Sequence, residues 1–375
     1  MGERVVVTGT GAVTALGATA ATTWRAVRDD QAPPRYPAGL PADAAARAAT
    51  GTVALDASAL GVSAREAWLM GRPALALLAA AREAVAQANL PAGLVAPEDI
   101  AFFAAMGMVD PAVDDLRGAV MSSLGPDGLE LERFFHEGHR TIHPLWPLAM
   151  LNNVGFCQVC ASLGVRGDNA VFSPGVDAGV VAVVEATAAV AEGRAAVALA
   201  GGAGETVSAL SLARSRLVGD PHPERRGCPL GEGGGVLVLE READARERGA
   251  RPLAVVAGWG YAFGEDDSHA RTRALRDAVE RAGVEVEAIE LAIVSGQPRE
   301  GGSALGPEPG AAPPLALDSA SRLGDLLAGA AVVDAVLATQ ALSEDGRGGG
   351  PPRVALVSAR GRSGHAAALL LAAVE

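Results

Sequence analysis

The sequence has few aromatic residues, few cysteines and a shortage of basic charge. Aromatic residues make up 3% of its 375 residues and hydrophobic residues 49%, so small aliphatic side chains must fill the interior. This length and composition predict a substantial α/β core. The three cysteines, Cys157, Cys160 and Cys228, show neither a disulfide framework nor a zinc-binding spacing.

The net charge of -13 argues against nucleic acid as a partner, because binding to phosphates needs a basic surface. No run of about 18 uninterrupted apolar residues predicts a membrane-spanning helix. Residues 1–4 lead directly into a strand and lack the hydrophobic region of a signal peptide. We therefore expect a cytoplasmic protein without nucleic-acid or membrane partners.

Residues 166–205 predict a strand, a sharp turn, a buried helix and a second strand. A short apolar run at 170–172 ends in a Ser-Pro-Gly turn. Residues 176–191 are apolar on every side, as in a helix that is buried all round. A helix that begins in a turn after a buried strand directs its free N–H groups at one spot. Many enzymes place a nucleophile or an anion at such a spot.

This stretch resembles the nucleophile region of β-ketoacyl synthases, which have the thiolase fold. That family carries Ala-Cys-x-Ser-Gly in the turn and Ala-Gly-Gly-x-x-Glu after the buried helix. Here the turn reads Gly-Val-Asp-Ala-Gly at 175–179, and the later motif is complete at 200–205. A second match covers 220–240, where Gly-Glu-Gly-Gly-Gly precedes a core strand. The resemblance extends over the full chain and is weakest at 297–314, which is rich in Gly and Pro.

The resemblance implies an α/β protein with the thiolase-like fold, in which two pseudo-duplicated halves pack as αβαβα layers. We assign the halves to residues 1–248 and 249–375 of one structural unit. The sequence A-V-V-A-G-W-G at 254–260 echoes V-V-V-T-G-T-G at 5–11, which fits a duplication. The G-x-G at 9–11 lacks a convincing third glycine and acidic residue, so we do not interpret it as a dinucleotide site.

Hydrophobic periodicity and turn residues predict the remaining elements. The predicted helices cover 20–28, 65–88, 111–123, 268–282 and most of 319–342. The predicted strands cover 5–8, 100–106, 195–200, 236–239 and 291–295, with a terminal pair at 354–358 and 366–374.

Four positions that carry the chemistry of the family hold other residues in this chain. Val176 stands at the position of the nucleophilic cysteine, and a valine cannot hold an acyl group. Ser295 stands at the first histidine, Ala320 at the lysine and Asp325 at the second histidine. A serine is a poor substitute for imidazole, and an aspartate repels a developing enolate. Arg362 stands at the position of the gating phenylalanine.

The resemblance therefore implies a pseudo-enzyme similar to the chain length factor of type II polyketide synthases. Such a subunit forms a heterodimer with an active ketosynthase, in which the strand at about 169–172 crosses the dimer axis. Residues near 105–150 shape the acyl channel of the partner. The subunit has no cofactor of its own, and the partner system uses phosphopantetheinyl acyl carrier protein. This chain departs from the better-known chain length factors, which have glutamine where Val176 stands, and aromatic polyketide and polyene pathways both stay open.

Two other functions also stay open. A repurposed enzyme on this scaffold would carry out acyl transfer, cyclisation or dehydration on acyl-carrier-protein thioesters with Asp325, His365 or Ser295. A scaffold protein would dock several carrier-protein-dependent enzymes. In the non-catalytic interpretation Arg362 pairs with Asp325 or Asp177, because buried charges need partners. Asp177 is also placed to cap the buried helix.

The cysteines have a redox interpretation and a packing interpretation. Cys157 and Cys160 have the spacing of a redox pair, but they lie in an apolar helical run, so we predict buried thiols without redox function. Cys228 precedes the Gly-Glu-Gly-Gly-Gly motif, and we predict that it packs in that loop.

Three histidines are candidate metal ligands. His136, His139 and His143 are spaced by three and four residues, which a helix aligns on one face. Gly138 and Pro144 oppose a rigid helix there, so we predict a solvated or interface loop and no metal site.

Overall fold

The computed structural model describes residues 3–31, 53–91, 93–110, 112–173, 175–204, 207–208, 210–211, 230–264, 267–295, 315–344, 352–360 and 364–374. The strands in these ranges are β1 (Val5–Thr14), β2 (Ile100–Met106), β3 (Leu124–Gly125), β4 (Gly128–Leu129), β5 (Asn169–Phe172), β6 (Val197–Ala203), β7 (Gly233–Arg241), β8 (Ala254–Phe263), β9 (Leu291–Ser295), β10 (Leu315–Asp318), β11 (Val354–Arg360) and β12 (His365–Ala372). The α-helices are α1 (Ala20–Arg28), α2 (Ala64–Gln87), α3 (Val113–Ser122), α4 (Leu131–His136), α5 (Trp146–Ala149), α6 (Asn152–Leu163), α7 (Ala178–Ala191), α8 (Glu242–Glu247), α9 (Asp267–Ala282), α10 (Ala320–Leu323) and α11 (Ala330–Ser343).

Ten of the strands form one sheet whose two halves repeat a single topology. The order is β5-β2-β6-β7-β1 in the first half and β10-β9-β11-β12-β8 in the second. In each half the last strand in the chain is antiparallel to its two neighbours, and the other pairings are parallel. Strands β1 and β8 pair antiparallel and join the halves. The predicted duplicated, thiolase-like fold is confirmed, whereas the boundary at residue 248 stays a prediction.

The echo between 5–11 and 254–260 corresponds to the same strand–helix packing in both halves. A Cβ at Gly9 or Gly11 would lie 2.1 or 1.9 Å from a carbonyl oxygen of α2. A Cβ at Gly258 or Gly260 would lie 2.2 or 2.0 Å from a carbonyl oxygen of α9. These glycines therefore allow a helix to lie directly on the strand, and the G-x-G of β1 has a packing role.

The core consists of three large apolar clusters that define five layers. The central cluster contains α7 and α11 and the inner faces of both half-sheets. A second cluster packs α2 and α6 on the outer face of the first half-sheet, and a third packs α9 on the outer face of the second. Burial on both faces explains why the strands and the two central helices read as continuous apolar runs. The predicted αβαβα order is confirmed.

Element bounds agree with the sequence where local signals set them and differ where a partner strand sets them. The helix at Ala20–Arg28 and the strand at Leu291–Ser295 have the predicted bounds. Strand β1 was predicted to end at Thr8 but continues to Thr14, because it pairs with β7 along this whole length. Within the described ranges, no helix is both long enough and apolar enough to span a bilayer.

The repeated glycine packing predicts equal effects in the two halves. Gly9→Ala and Gly258→Ala should each lower the free energy of unfolding by about 3 kcal/mol, because the new methyl group meets backbone and not a flexible side chain. The control is Gly118→Ala on the exposed helix α3, where the methyl group meets only the side chain of Thr141, at 3.3 Å. Urea unfolding should find this control neutral or up to about 1 kcal/mol more stable. A neutral Gly258→Ala beside a destabilising Gly9→Ala contradicts the structural repeat.

Candidate functional site

The turn before α7 places Val176 inside the core. Gly175 has φ 128, a backbone conformation that glycine adopts without strain. Val176 is 3% exposed and belongs to the central apolar cluster. The side chain at the position predicted for a nucleophile is therefore an inert packing group.

Asp177 does not have the predicted capping role. Its side chain makes no capping hydrogen bond, and its backbone carbonyl accepts the N–H groups of Val180 and Val181 at 3.0 and 3.2 Å. Burial raises the pKa of Asp177, while its own backbone N–H and the charge of His365 oppose this rise. The charge of His365 thus acts on Asp177, although the two residues are distant in sequence.

Asp325 is engaged by backbone groups beside α11. The residue is 8% exposed, and its carboxylate accepts the N–H of Leu327 at 2.9 Å. Its backbone carbonyl accepts the N–H of Gly231 at 3.1 Å. A Cβ at Gly231 would lie 2.1 Å from the carbonyl oxygen of Leu323, so glycine is required for this approach. Ala320, at the predicted lysine position, is 5% exposed within α10.

Ser295 belongs to a buried polar cluster that sequence reasoning missed. Its hydroxyl donates to the carboxylate of Asp334 in α11, and Ser319 also hydrogen-bonds that carboxylate. Ser295, Asp334 and Ser319 are 0%, 1% and 4% exposed. Burial raises the pKa of Asp334 to about 7, against the two serine hydrogen bonds, and the charge of Asp318 adds to the rise. The feature of the sequence that could have indicated this cluster is Asp334, a single carboxylate within the apolar run of residues 330–342.

His365 is the candidate reactive residue that reaches solvent. It begins β12, is exposed, and its ring centroid lies 5.0 Å from that of Phe263. Arg362 lies outside the described residues, so its pairing with Asp325 or Asp177 stays a prediction. Among the described residues, Ser295, Asp325 and His365 therefore each contact different neighbours.

Glu232, the glutamate of the Gly-Glu-Gly-Gly-Gly motif, has a structural role. The carboxylate of Glu232 is almost fully buried and pairs with Arg72, with 2.6 Å between the charged atoms. It also accepts the N–H groups of Val53 and Val207 at 3.1 and 3.0 Å. The sequence alone does not predict this role of Glu232, which ties together segments that are distant in the chain.

The prediction of two buried thiols is correct for Cys160 and wrong for Cys157. Cys160 is buried, and this burial, together with Cys157, raises its pKa to about 12, which keeps the thiol protonated. Cys157 was predicted to be buried and is exposed, because it lies on the outer face of α6. Cys228 lies outside the described residues.

The three candidate histidine ligands do not share one helix. His136 ends α4, a separate 3-10 turn covers Gly138–Thr141, and His143 follows that turn. His139 Nδ1 lies 3.2 Å from the carbonyl oxygen of Phe134, and His143 Nδ1 accepts the N–H of Leu145 at 3.2 Å. In the ranges that the structure covers, no group of three or more His, Cys, Asp or Glu side chains is placed to hold a metal ion.

Large apolar side chains are exposed mainly on one segment, residues 108–151, which we call the apolar lobe. It contains α3, the β3–β4 hairpin, α4 and α5. A concentration of exposed apolar surface of this kind is typical of a protein–protein interface. The exposed apolar residues of the lobe are Met108, Val113, Val120, Met121, Leu124, Leu129, Leu131, Phe135, Leu145, Leu148 and Leu151.

Similarity to known proteins is found in sequence and in fold. The family model of the β-ketoacyl synthase N-terminal domain matches residues 2–245. The chain is 32% identical over 273 residues to nodulation protein E of Rhizobium leguminosarum bv. trifolii. It is 30% identical over 240 residues to 3-oxoacyl-(acyl-carrier-protein) synthase 2 of Rhizobium meliloti (strain 1021). It is 32% identical over 172 residues to the putative polyketide beta-ketoacyl synthase 1 of Streptomyces halstedii.

These three matches cover 69%, 56% and 42% of this chain and 63%, 56% and 40% of the relatives, so the chain matches less than two thirds of each relative. Two solved structures share the fold over 100% of both chains. One is a type II PKS acyl-carrier protein in complex with its ketosynthase bound to the hexaketide, with a TM-score of 0.76. The other is the ishigamide ketosynthase/chain length factor, with a TM-score of 0.75. Both are 19% identical to this chain, so this likeness concerns the fold alone.

The raised pKa of Asp334 predicts a pH-dependent stability. In the folded protein this carboxyl stays protonated up to about pH 7, whereas in the unfolded chain it loses its proton above about pH 4. Its stabilising contribution is complete below about pH 4 and is lost as the pH rises to 7, by at most about 4 kcal/mol. Asp334→Asn cannot ionise, so urea unfolding should find its stability rising relative to the wild type across this pH range.

Ser295→Ala serves as the second variant in that experiment. It removes a hydroxyl that favours the Asp334 anion, so the loss of stability should extend to higher pH than in the wild type. If the free energies of unfolding of Asp334→Asn and the wild type differ by the same amount from about pH 4 to 8, Asp334 is not a buried carboxyl that ionises in this range.

Proposed function

The chain belongs to the β-ketoacyl synthase family, and we propose that it is a non-catalytic member that pairs with an active ketosynthase. In this proposal it shapes the acyl channel of that partner, as a chain length factor does in type II polyketide or polyene biosynthesis. The observation that carries the proposal is Val176, which occupies the nucleophile turn and is packed into the central core. A valine has no lone pair with which to attack a thioester.

The residues at the other three predicted catalytic positions support the same proposal. Ser295 is fully buried and directs its hydroxyl at the buried Asp334. Ala320 has no titratable atom, and the carboxylate of Asp325 accepts a backbone N–H. Each of these side chains contributes to the packing or hydrogen bonding of the fold. None of them supplies the imidazoles or the lysine that decarboxylation and condensation need.

Two surfaces support a protein partner. The apolar lobe is the main exposed apolar surface of the described residues. Strand β5 lies at the edge of the sheet and pairs there with β2, so its outer backbone groups are placed to pair with another chain. We assign these surfaces to an active ketosynthase subunit, and we assign acyl carrier protein as the carrier of the substrate. We propose no cofactor for this chain.

The alternative is a repurposed enzyme that acts on acyl-carrier-protein thioesters. The observation in its favour is His365, an exposed imidazole whose charge interacts with Asp177. Imidazoles and carboxylates are groups that general acid–base catalysis uses. Assays on the isolated chain distinguish this alternative from the non-catalytic function.

The non-catalytic function predicts an inactive chain that a single substitution does not revive. Purified wild type and Val176→Cys should form no carbon–carbon bond from acyl and malonyl thioesters of acyl carrier protein, because Ser295, Ala320 and Asp325 are unchanged. Mass spectrometry of the products is the measurement, with an intact ketosynthase as the positive control. Condensation by the wild-type chain alone contradicts the proposal. Turnover without condensation that disappears in His365→Ala supports the repurposed enzyme.

The apolar lobe predicts variants that lose the partner and keep the fold. Leu131→Ser and Phe135→Ser change side chains that are 62% and 68% exposed, so the thermal midpoint should not fall. Burying both side chains in an interface is worth several kcal/mol, so the double variant should bind an active ketosynthase that forms a complex with the wild type at least about tenfold more weakly. Leu94→Ser, 48% exposed outside the lobe, is the matched control. Unchanged binding in the double variant removes the lobe from the interface.

A further inference from the structure

A cavity of about 470 Å³ opens between the first turns of α2 and the apolar lobe. The proposed function makes no use of it. Its volume lies in the range of pockets that bind small organic ligands, about 300 to 1,000 Å³. Three separate parts of the chain supply its wall, namely α2, α3 and the residues before α5. The residues that line the cavity are Arg65, Trp68, Leu69, Asp115, His143 and Leu145.

The apolar part of this wall is built around two rings. The rings of Trp68 and His143 meet edge to face, with their centroids 5.3 Å apart and their planes at 73°. This is a favourable geometry for a ring pair. His143 is also held through its Nδ1, which accepts the N–H of Leu145 at 3.2 Å. The side chains of Leu69 and Leu145 add aliphatic surface. The wall is therefore arranged before any ligand arrives, and an apolar group of a ligand has a surface to pack on.

The polar part of the wall brings one charge of each sign to the cavity. Arg65 and Asp115 both line it, and their side chains have no ion pair or hydrogen bond with the described residues. Their neighbours in sequence are engaged elsewhere. The carboxylate of Glu66 accepts the hydroxyl of the N-cap residue of α2 at 2.6 Å. Asp114 pairs with Arg117 on the surface of α3, with 2.8 Å between the charged atoms. The guanidinium and the carboxylate at the cavity are thus available to a ligand.

A ligand with one charge of each sign fits this wall best. A purely apolar ligand would take water from Arg65 and Asp115 without replacing its hydrogen bonds, which is unfavourable. A phosphate ester would be attracted by Arg65 and repelled by Asp115. An α-amino acid carries an ammonium and a carboxylate beside its side chain, so it satisfies both groups with charge-assisted hydrogen bonds. An apolar side chain on that amino acid would cover the rings.

We propose that this cavity binds a free α-amino acid with an aromatic or branched aliphatic side chain. Arg65 binds its carboxylate and Asp115 binds its ammonium group. The ring pair of Trp68 and His143, with the two leucines, contacts its side chain. This inference goes beyond the proposed function and does not depend on it, because neither a partner subunit nor a catalytic residue takes part.

Calorimetric titration of the full chain with three related ligands tests the two charge contacts. L-phenylalanine has both charges, its amide lacks the carboxylate, and N-acetyl-L-phenylalanine lacks the ammonium group. The wild type should bind L-phenylalanine at least about tenfold more tightly than either derivative, because each loses one charge-assisted hydrogen bond. Arg65→Gln should lose the preference over the amide and keep the preference over the N-acetyl form. Asp115→Asn should show the reverse.

Two variants on the surface of α3 are the matched controls. Asp114→Asn and Arg117→Gln each remove a charge close to the cavity but outside its wall, and both should keep the wild-type preferences. Trp68→Ala removes part of the apolar wall and should weaken all three ligands alike. The inference is overturned if L-phenylalanine does not bind the wild type at millimolar concentration. It is also overturned if the wild type binds the three ligands equally, or if neither Arg65→Gln nor Asp115→Asn changes the preferences while the thermal midpoint shows both variants folded.

Discussion

The close packing of two apolar helices between two half-sheets is the constraint on which the rest of this structure depends. Helices α7 and α11 consist largely of Ala and Val, so both half-sheets must cover them. Backbones then approach closely: a Cβ at Gly179 would lie 2.9 Å from Ala331 Cβ, and one at Gly235 would lie 3.1 Å from Val333 Cα. Large rings do not fit in such a stack, which accounts for the scarcity of aromatic residues.

Much of the fold could be predicted because its signals are local. An apolar run on every side of a helix, a Ser-Pro-Gly turn and paired glycines each indicate an element without knowledge of the rest of the chain. Bounds set by partners could not be predicted in this way, as β1 shows, since its length follows from β7. Asp177 shows a second limit: its position suits a cap, but its helical backbone, with φ -63 and ψ -27, does not aim the side chain at the helix N–H groups.

Less of the site could be predicted, because its contacts join residues far apart in sequence. The Ser295 hydroxyl meets Asp334 across 39 residues, and no spacing rule links them. Glu232 likewise reaches Arg72 across 160 residues. The sequence does mark both carboxylates as unusual, since each stands among glycines or apolar residues. The identity of their partners depends on the assembled layers, in which a buried carboxyl needs donors nearby.

The two half-sheets pair with each other over a short stretch, whereas each half contributes a helix to the apolar layer between them. In the described residues β1 and β8 pair at only two positions, Val6 with Val255 and Val7 with Ala254. By contrast, α7 from the first half and α11 from the second lie in one apolar cluster. When α7 has left the ribosome, α11 has not yet been synthesised. The apolar surface of the first half that α11 covers therefore stays exposed until residues 330–343 have been synthesised, and exposed apolar surface of this kind favours aggregation of the nascent chain.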